Sequence, residues 1–239
     1  MTETKRDRLI IVIPAYNEES NIEAVVNQWH PVALRAGIKS RLFVIDDGST
    51  DGTWETLGKL QERFPLLRAV KKENQGHGAT VLYGYRCALE EGCDYVFQTD
   101  SDGQTVPEDF WQLWEDREKC GLLIGKRLHR QDGWQRILVT RTLRLVLRLM
   151  FGCRTEDANT PFRLMRAGEL EEVLREIPEN YQLSNVLMTV IYTRRGLGVY
   201  YYPITFRPRQ GGKNSLNMKK IFRMGRQALR DFAKLRGKL

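Results

Sequence analysis

The first hundred residues alternate between short aliphatic segments and longer segments with helical spacing. The aliphatic segments are rich in Val, Ile and Leu and end at polar or turn-forming residues, which indicates buried strands. They are predicted at residues 9–13, 42–45, 66–70 and 95–99. Because a helical segment separates each strand from the next, the pattern predicts an α/β fold, a mostly parallel sheet with helices on both faces.

The helices between these strands have recognisable ends. Ser20 and Glu23 have the spacing of a capping box for a helix that continues to about Arg35, and Gly37 suits its end. Thr50 or Asp51 is predicted to cap the second helix, which the Phe-Pro pair at 64–65 ends, and the third runs over 79–91. The later elements are a helix opening at residue 107, a strand at 122–124, helices over 137–151 and 168–177, and a strand over 199–206.

The positive charge of the chain is concentrated at its C-terminal end. From Lys213 onward there are nine Lys or Arg residues and one Asp, and the net charge of +8 in this segment equals that of all 239 residues. A local basic segment indicates a phosphate-rich partner, either nucleic acid or an anionic membrane surface. The length indicates one domain, read as a catalytic part over 1–212 and a basic tail over 213–239 that either packs on it or associates with a membrane surface.

Cysteine spacing and hydropathy exclude several classes of protein. The four cysteines form no Cys-x-x-Cys pair, so the sequence indicates neither a zinc ribbon nor a thioredoxin-like site, and a reducing compartment is the simplest expectation. The charged N-terminal residues do not resemble a signal peptide, and no run of about 18 apolar residues occurs. We therefore expect a cytoplasmic protein whose membrane contact is peripheral.

Acidic residues follow the predicted strand at 95–99. Asp100 and Asp102 are separated by one residue, and carboxylate oxygens are the ligands that Mg²⁺ or Mn²⁺ prefers. A cation held there would bridge a carboxylate to a diphosphate and stabilise the charge on a leaving phosphate. By itself, this Asp-Ser-Asp sequence is equally compatible with a solvated acidic turn.

Two further polar motifs follow the first and second strands, and a third precedes a helix. The four motifs are PAYNE at 14–18, VIDDGSTDGT at 44–53, NQGHGAT at 74–80 and DSDGQ at 100–104. In a parallel sheet the carboxyl ends of strands share one edge, where ligands bind. In order and spacing these motifs resemble those of family 2 glycosyltransferases with the GT-A fold, and the branch most similar to this chain is that of dolichyl- or polyprenyl-phosphate sugar transferases.

The resemblance implies a donor site for a nucleotide-diphosphate sugar. The positions that would hold the base and ribose are Pro14, Ala15, Tyr16, Glu18 and Asp47, with Tyr16 suited to stacking on the base. Asp100, Ser101 and Asp102 would lie at the diphosphate, and Asp100, Asp102 and Gln104 match the metal-holding positions. Gly76 and Gly78 permit close approach of a backbone. We assign no role to His77, which lies between them.

The sequence over 156–163 resembles the second acidic motif of the family and makes Asp157 the candidate catalytic residue. A phosphate acceptor is already ionised, so positioning and electrostatics would dominate, whereas with a hydroxyl acceptor Asp157 would serve as general base. Thr160 and Pro161 replace small residues of the family pattern, which puts the shape of the acceptor loop in question. Arg163 is either a structural ion-pair partner or a direct participant.

Four basic residues complete the implied site. Arg127 and Arg141 match positions that bind the acceptor phosphate, and guanidinium forks suit phosphate oxygens. Arg209 resembles the arginine that covers the diphosphate in the family's closing motif. Asn214 and Ser215 stand where the family has Ser-Lys, so Lys213 would supply the charge from a shifted position.

Two segments are predicted to contact a membrane surface. Between Arg136 and Arg154 there are five arginines and no acidic residue, and Arg141, Arg144 and Arg148 lie on one helical face. The remaining arc is apolar and broad, as in an interfacial helix, although a buried helix with a solvated arginine edge is the simpler alternative. The tail repeats this basic amphipathic pattern, with apolar residues Met218, Ile221, Phe222, Leu229, Phe232 and Leu235.

The sequence therefore predicts a metal-dependent glycosyltransferase that moves a sugar from a nucleotide-sugar to a polyprenyl phosphate at the cytoplasmic side of an anionic membrane surface. A separate membrane protein is a candidate partner. A transferase of the same fold acting on a glycan, a protein-linked sugar or a soluble acceptor is the alternative. A processive polysaccharide synthase is disfavoured because the Gln-x-x-Arg-Trp motif is missing. A basic nucleic-acid-binding module would explain the tail but not the acidic motifs, so no nucleic-acid partner is expected.

Overall fold

The computed structural model describes residues 7–119, 121–127 and 134–208, with residues 134–140 described by their backbone alone. Within these ranges seven strands form one sheet: β1 (Leu9–Ala15), β2 (Arg41–Asp46), β3 (Leu67–Lys71), β4 (Tyr95–Gln98), β5 (Leu122–Arg127), β6 (Arg163–Arg166) and β7 (Val199–Ile204). Their order is β3-β2-β1-β4-β6-β5-β7. Only β6 runs against its neighbours, so the mostly parallel α/β sheet predicted from the sequence is confirmed.

Helices cover both faces of this sheet. They are α1 (Ile22–Ala36), α2 (Thr53–Arg63), α3 (His77–Glu90), α4 (Phe110–Glu115), α5 (Trp134–Phe151), α6 (Ala167–Leu174) and α7 (Ser184–Arg194), with a 3₁₀ turn over Pro107–Asp109. Alternate residues of β1 enter opposite cores. Ile11 packs with residues of α1 and α2, whereas Ile10 and Val12 pack with residues of α3 and α7. Burial on both faces explains why β1 is apolar along its whole length.

The ends of the first two helices only partly follow the sequence prediction. The capping box of Ser20 and Glu23 is wrong, because α1 begins after Asn21 and Glu23 pairs with Arg63 at 2.8 Å. The predicted end is confirmed, since the N–H of Gly37 donates to the carbonyl of Ala33. Asp51 precedes the N-cap of α2 by one residue but still accepts a hydrogen bond from the N–H of Thr53 at 3.1 Å.

Two elements of the second half were missing from the sequence prediction. The strand β6 is four residues long with an arginine at each end, so it has no apolar run that would mark it. The helix α7 is buried at every position over 184–192, which removes the polar face that gives a helix its period. Neighbouring elements, and not a local sequence pattern, therefore specify β6 and α7.

The antiparallel strand β6 decides which segments meet. In its register with β4, Gln98 lies opposite Arg163, so the chain just before β6 lies beside the carboxyl end of β4. On the other side, the N–H of Gly125 in β5 donates to the carbonyl of Phe162 at 2.7 Å. The segment before β6 is thereby held between the ends of β4 and β5. The predicted boundary at residue 212 and the basic tail lie outside the described residues.

Candidate active site

The predicted site residues within the described part of the chain collect mainly at one edge of the sheet. This edge is formed by the carboxyl ends of β1, β2, β4 and β5 and by the segment that enters β6. Ligands of open α/β sheets bind at such an edge, because the loops there are positioned by rigid strands.

Pro14 and Ala15 end β1, and Tyr16 follows with 47% of its surface exposed. Asn17 has a φ of 54°, in the left-handed region that a non-glycine residue seldom adopts. The loop after β2 holds it there, since Asn17 N–H donates to Ser49 Oγ and its Oδ1 accepts from Thr50 N–H, both at 2.9 Å. This turn leaves the ring of Tyr16 accessible for stacking.

Glu18 is 7% exposed and joins the two loops. Its N–H donates to Thr53 Oγ1 at 2.9 Å, and its Oε2 accepts from Asn21 Nδ2 at 2.7 Å. The PAYNE segment is therefore fixed to the start of α2.

Asp47 is committed to the protein's own structure. Its Oδ1 accepts from Lys72 Nζ at 2.6 Å and from the N–H of Gln75 at 3.0 Å, and its Oδ2 accepts from the N–H of Gly76 at 2.9 Å. Burial alone would raise the pKa of Asp47, but the hydrogen bonds from Lys72, Gln75 and Thr80 outweigh it and lower the pKa. This carboxylate organises the loop between β3 and α3.

Close packing of protein against protein explains the glycines of the NQGHGAT motif. A Cβ at Gly78 would lie 2.2 Å from the carbonyl oxygen of Gln182, and one at Gly76 would lie 2.5 Å from Oε1 of the same residue. Gly76 also has a φ of 90°. Gln182 closes the contact by donating from Nε2 to the carbonyl of Gln75 at 2.8 Å. That these glycines also approach a nucleotide stays a prediction.

The Asp-Ser-Asp turn after β4 has different electrostatics. Burial raises the pKa of Asp100 to about 6, with Asp102 adding to the rise and His77 opposing it. Its Oδ1 is buried without a hydrogen-bond partner, and His77 Nε2 lies 3.7 Å away. Ser101 is buried beneath the turn, and Asp102 Oδ1 accepts from the N–H of Gln104 at 3.2 Å.

This turn fits a divalent cation. An ionisable oxygen that is buried without a hydrogen-bond donor is stabilised by a positive ion, and Asp100 supplies such an oxygen. Gln104 uses its Nε2 to donate to the carbonyl of Arg207 at 2.9 Å, so its side-chain oxygen is the atom that could face a cation. In the described ranges no three His, Cys, Asp or Glu side chains are gathered as a ready-made metal cluster.

Asp157 and Arg127 form one unit. Arg127 donates from Nε to Asp157 Oδ2 and from Nη2 to Oδ1, each at 2.9 Å. Both side chains are largely buried, with 11% of Arg127 and 5% of Asp157 exposed. The sequence placed these two residues in separate roles, and the structure joins them in a bidentate pair.

Arg163 contacts the loop that carries Asp157. It is fully buried, and its guanidinium donates to the main-chain carbonyls of Thr160, Ala158 and Asn185 at 3.0 to 3.1 Å. The sequence left Arg163 open as a structural ion-pair partner or a direct participant, and these contacts with main-chain carbonyls favour a structural role. Its hydrogen bonds shape the loop that carries Asp157.

The helix α5 presents charge and apolar surface together. Arg141, Arg144 and Arg148 are exposed, and so are Leu145 at 57% and Leu149 at 71%. Arg144 donates to the carbonyl of Glu156, next to Asp157. No described helix is long and apolar enough to cross a membrane. Arg209 and Lys213 of the predicted donor site, and the tail, lie outside the described residues.

The comparison with protein families matches residues 10–236 to the family described as Glycosyl transferase family 2. The chain belongs to this family. It is a glycosyltransferase with a GT-A-like fold, as the motifs predicted.

Two relatives of this glycosyltransferase match it over most of their own length. It is 27% identical over 225 residues to the polyprenol monophosphomannose synthase of Mycolicibacterium smegmatis, covering 90% of this chain and 83% of the relative. It is 28% identical over 218 residues to the undecaprenyl-phosphate mannosyltransferase of Micrococcus luteus, covering 88% of each. Among solved structures, glucosyl-3-phosphoglycerate synthase of Mycobacterium tuberculosis with Mn²⁺, UDP-glucose and glycerol 3-phosphate superposes with a TM-score of 0.69 at 22% identity, covering 96% of this chain and 80% of that one.

Three contacts of this glycosyltransferase were missed at the level of sequence. Lys72 neutralises Asp47, His77 approaches Asp100, and Phe206 lies against Arg127, with its ring centroid 5.1 Å from Cζ. Lys72 follows β3 as the acidic motifs follow β1, β2 and β4, so its position at a strand end was a usable signal. Phe206 gave no such signal, because its contact depends on the pairing of β5 with β7.

Proposed function

We propose that this glycosyltransferase moves a sugar from a nucleotide-diphosphate sugar to the phosphate of a polyprenyl phosphate, such as a dolichyl or undecaprenyl phosphate. The observation that carries the proposal is the bidentate pair of Arg127 and Asp157. The names of the two mannosyl-transferring relatives support the same acceptor class.

The pair favours a phosphate over a hydroxyl acceptor. A hydroxyl must lose its proton as it attacks, and the base needs a carboxylate oxygen directed at that proton. Both oxygens of Asp157 already accept hydrogen bonds from Arg127. A phosphate oxygen is already negative at neutral pH, so the site needs to hold and orient it, which a guanidinium does well. Asp157 then acts through electrostatics and positioning.

On the donor side, we assign the base and ribose to Pro14, Ala15, Tyr16, Glu18 and the loop that Asp47 holds. The exposed ring of Tyr16 and the rigid PAYNE segment support this assignment. The diphosphate is assigned to the turn at Ser101 and to the start of α3 at Gly76 and Gly78. From sequence alone, Arg209 and Lys213 would cover it.

Mg²⁺ or Mn²⁺ would be held by Asp100, Asp102 and Gln104, together with diphosphate oxygens. The cation would supply charge stabilisation for the leaving diphosphate. The buried Oδ1 of Asp100 supports this placement, as does the raised pKa of Asp100, because both indicate a carboxylate that gains from a positive ligand.

The acceptor would be presented by a membrane surface. Arg127 and Arg141 are assigned to the acceptor phosphate, and Leu145 and Leu149 to the interface. The exposed arginines of α5 would be attracted to anionic lipid by about 1 kcal/mol each. We place the enzyme peripherally on the cytoplasmic face, where nucleotide sugars and a separate membrane protein would be accessible to it.

The test is transfer of radiolabelled sugar to undecaprenyl or dolichyl phosphate, compared with a neutral polyprenol and a soluble glycan. Nucleotide sugars are screened first by Mn²⁺-dependent thermal stabilisation, since a ligand of the native state raises the melting temperature. We expect transfer to the lipid phosphate alone. Equal transfer to the neutral alcohol would remove the reason for a phosphate site, and preference for the glycan would establish the alternative acceptor class.

The variant Asp157→Asn separates the two roles of this residue. We expect a large loss in kcat with donor binding nearly unchanged, because one charged hydrogen bond to Arg127 is lost on the acceptor side. Glu108→Gln, an exposed residue of the 3₁₀ turn, is the matched control. Loss of donor affinity with retained turnover would instead move Asp157 to the nucleotide site.

A further inference from the structure

The three residues that follow β7 connect the donor turn to the acceptor side of the site. We call residues 205–207 the strap. The N–H of Arg207 donates to the carbonyl of Gln104 at 2.7 Å, and Gln104 Nε2 donates to the carbonyl of Arg207 at 2.9 Å. Phe206 pairs with Thr105 in an isolated antiparallel bridge. The strap is therefore fastened to Gln104 of the metal motif through Arg207, and to the adjacent Thr105 through Phe206.

The side chain of Phe206 lies against the acceptor arginine. The Cζ of Arg127 lies 5.1 Å from the centroid of the ring, within the range of a cation–π contact. Such contacts are weak in water and stronger when the cation is desolvated. Arg127 is 11% exposed, so this contact is in the stronger regime.

The contacts of Arg127 define how its guanidinium is held. A guanidinium has five N–H groups, and Asp157 accepts from the one on Nε and from one of the two on Nη2. The three other N–H groups, on Nη1 and Nη2, include a second fork on a different edge. Asp157 holds one edge of the Arg127 guanidinium, and Phe206 also contacts this guanidinium. These two contacts restrict rotation about the terminal bonds of the Arg127 side chain.

We propose that Phe206 is a positioning residue for the acceptor: its ring, together with the Asp157 carboxylate, orients the Arg127 guanidinium so that its second fork receives the acceptor phosphate. The inference rests on the proposed function, because it requires a phosphate acceptor. It adds a residue that touches neither the donor nor the reacting atoms. Because the strap is hydrogen-bonded to Gln104, it also couples the orientation of Arg127 to the donor side of the site.

The first experiment compares Phe206→Leu with the wild type in steady-state transfer to undecaprenyl phosphate. We expect the KM for the lipid phosphate to rise about tenfold, with the KM for the nucleotide sugar and kcat nearly unchanged, since a lost cation–π contact is of that size. Phe206→Tyr and Phe206→Trp keep an aromatic face and should restore the acceptor KM. Tyr200→Leu removes an exposed aromatic side chain from β7, the strand that precedes the strap, and is the matched control.

The second experiment is a double-mutant cycle with Arg127→Gln, which removes the cation and its planar fork. If Phe206 acts through Arg127, Phe206→Leu should change kcat/KM for the acceptor about tenfold in the wild-type background and by less than about twofold with Gln at position 127. Melting temperatures of all four proteins are measured alongside.

If Phe206→Leu lowered kcat/KM equally in both backgrounds while the wild type transferred sugar to lipid phosphate, the role of Phe206 would be overturned and the proposed function would stand. The same conclusion would follow if Phe206→Leu raised the KM for donor and acceptor equally and the Tyr variant did not restore either. A wild type that does not transfer sugar to lipid phosphate would overturn the proposed function instead.

Discussion

Asp47 and Asp100 follow parallel strands that are separated only by β1, yet their carboxylates have opposite surroundings. Lys72 and two backbone N–H groups surround Asp47, and its pKa is lowered although burial alone would raise it. At Asp100 burial prevails and raises the pKa to about 6, and one buried oxygen has no hydrogen-bond partner.

The difference separates two uses of an acidic strand end. The carboxylate at β2 stabilises the loop that leads into α3, so it belongs to the architecture of the site. The carboxylate at β4 costs the folded protein free energy when it is ionised, which is a common property of groups that interact with ligands. Both residues belong to acidic motifs, but only their surroundings distinguish a carboxylate that protein donors surround from one that has a buried oxygen without a hydrogen-bond partner.

The largest expected effect is on the β4 side. Asp102→Asn should lower cation-dependent transfer by at least about 100-fold, because it removes one anionic ligand while its side-chain oxygen still accepts from Gln104. The far-ultraviolet circular dichroism and melting temperature should match the wild type. Glu108→Gln is the control, and an undiminished rate would show that the turn holds no essential cation.

The next effect concerns Asp47 and is one of stability. Asp47→Asn should lower the free energy of unfolding at pH 7 by about 2 to 4 kcal/mol, because Lys72 is left buried without its carboxylate. The pKa of Asp47 is lowered in the folded state, so its stabilisation is present above the ordinary pKa near 4 and disappears as the pH falls through the folded value. Urea unfolding at pH 7 and pH 3 measures this.

If the difference in the free energy of unfolding between the wild type and Asp47→Asn were the same at pH 3 as at pH 7, the electrostatic role of Asp47 would be contradicted. Loss of nucleotide affinity without loss of stability would make it a ligand contact of the kind that the sequence predicted.

Asp100→Asn, in contrast to Asp47→Asn, should raise the free energy of unfolding when it is measured in the presence of a chelator. The folded-state pKa of Asp100 is raised, so its ionisation weakens folding as the pH rises from about 4 to about 6. The Asn variant avoids this cost and should be more stable by up to about 3 kcal/mol at pH 7.5, with little difference at pH 3.5. A destabilised variant at pH 7.5 would remove the contrast with Asp47.

The smallest expected effect concerns two arginines, one paired within the protein and one exposed. Arg127 is held by Asp157, whereas Arg141 is exposed on α5. Arg141→Ala should raise the KM for lipid phosphate about threefold to tenfold, as loss of one exposed charge contact does, without releasing the protein from anionic liposomes. Sedimentation with liposomes measures retention. Release from liposomes would show that Arg141 serves the surface attachment and not the acceptor phosphate.

Much of this site could be predicted from local sequence. The positions of β1, β2 and β4 follow from aliphatic runs, and the acidic motifs follow these strands directly. The same reasoning did not reveal that Asp47 pairs with Lys72, which lies 25 residues away in the sequence. It also separated Arg127 from Asp157, which lie 30 residues apart in the sequence and 2.9 Å apart in space.

The sequence by itself determined the parallel strand and helix units, the acidic strand ends and the membership of a glycosyltransferase family. The strands, helices and strand ends depend on residue spacing and turn chemistry within about fifteen residues, and the family is identified by the order and spacing of short motifs, so none of these features requires knowledge of a long-range contact. Only the tertiary structure decided that β6 lies antiparallel between β4 and β5, which places Asp157 at Arg127 and the strap at Gln104. A four-residue strand carries too little local preference to specify its own partners, so the buried surfaces and carbonyls around Arg163 select them.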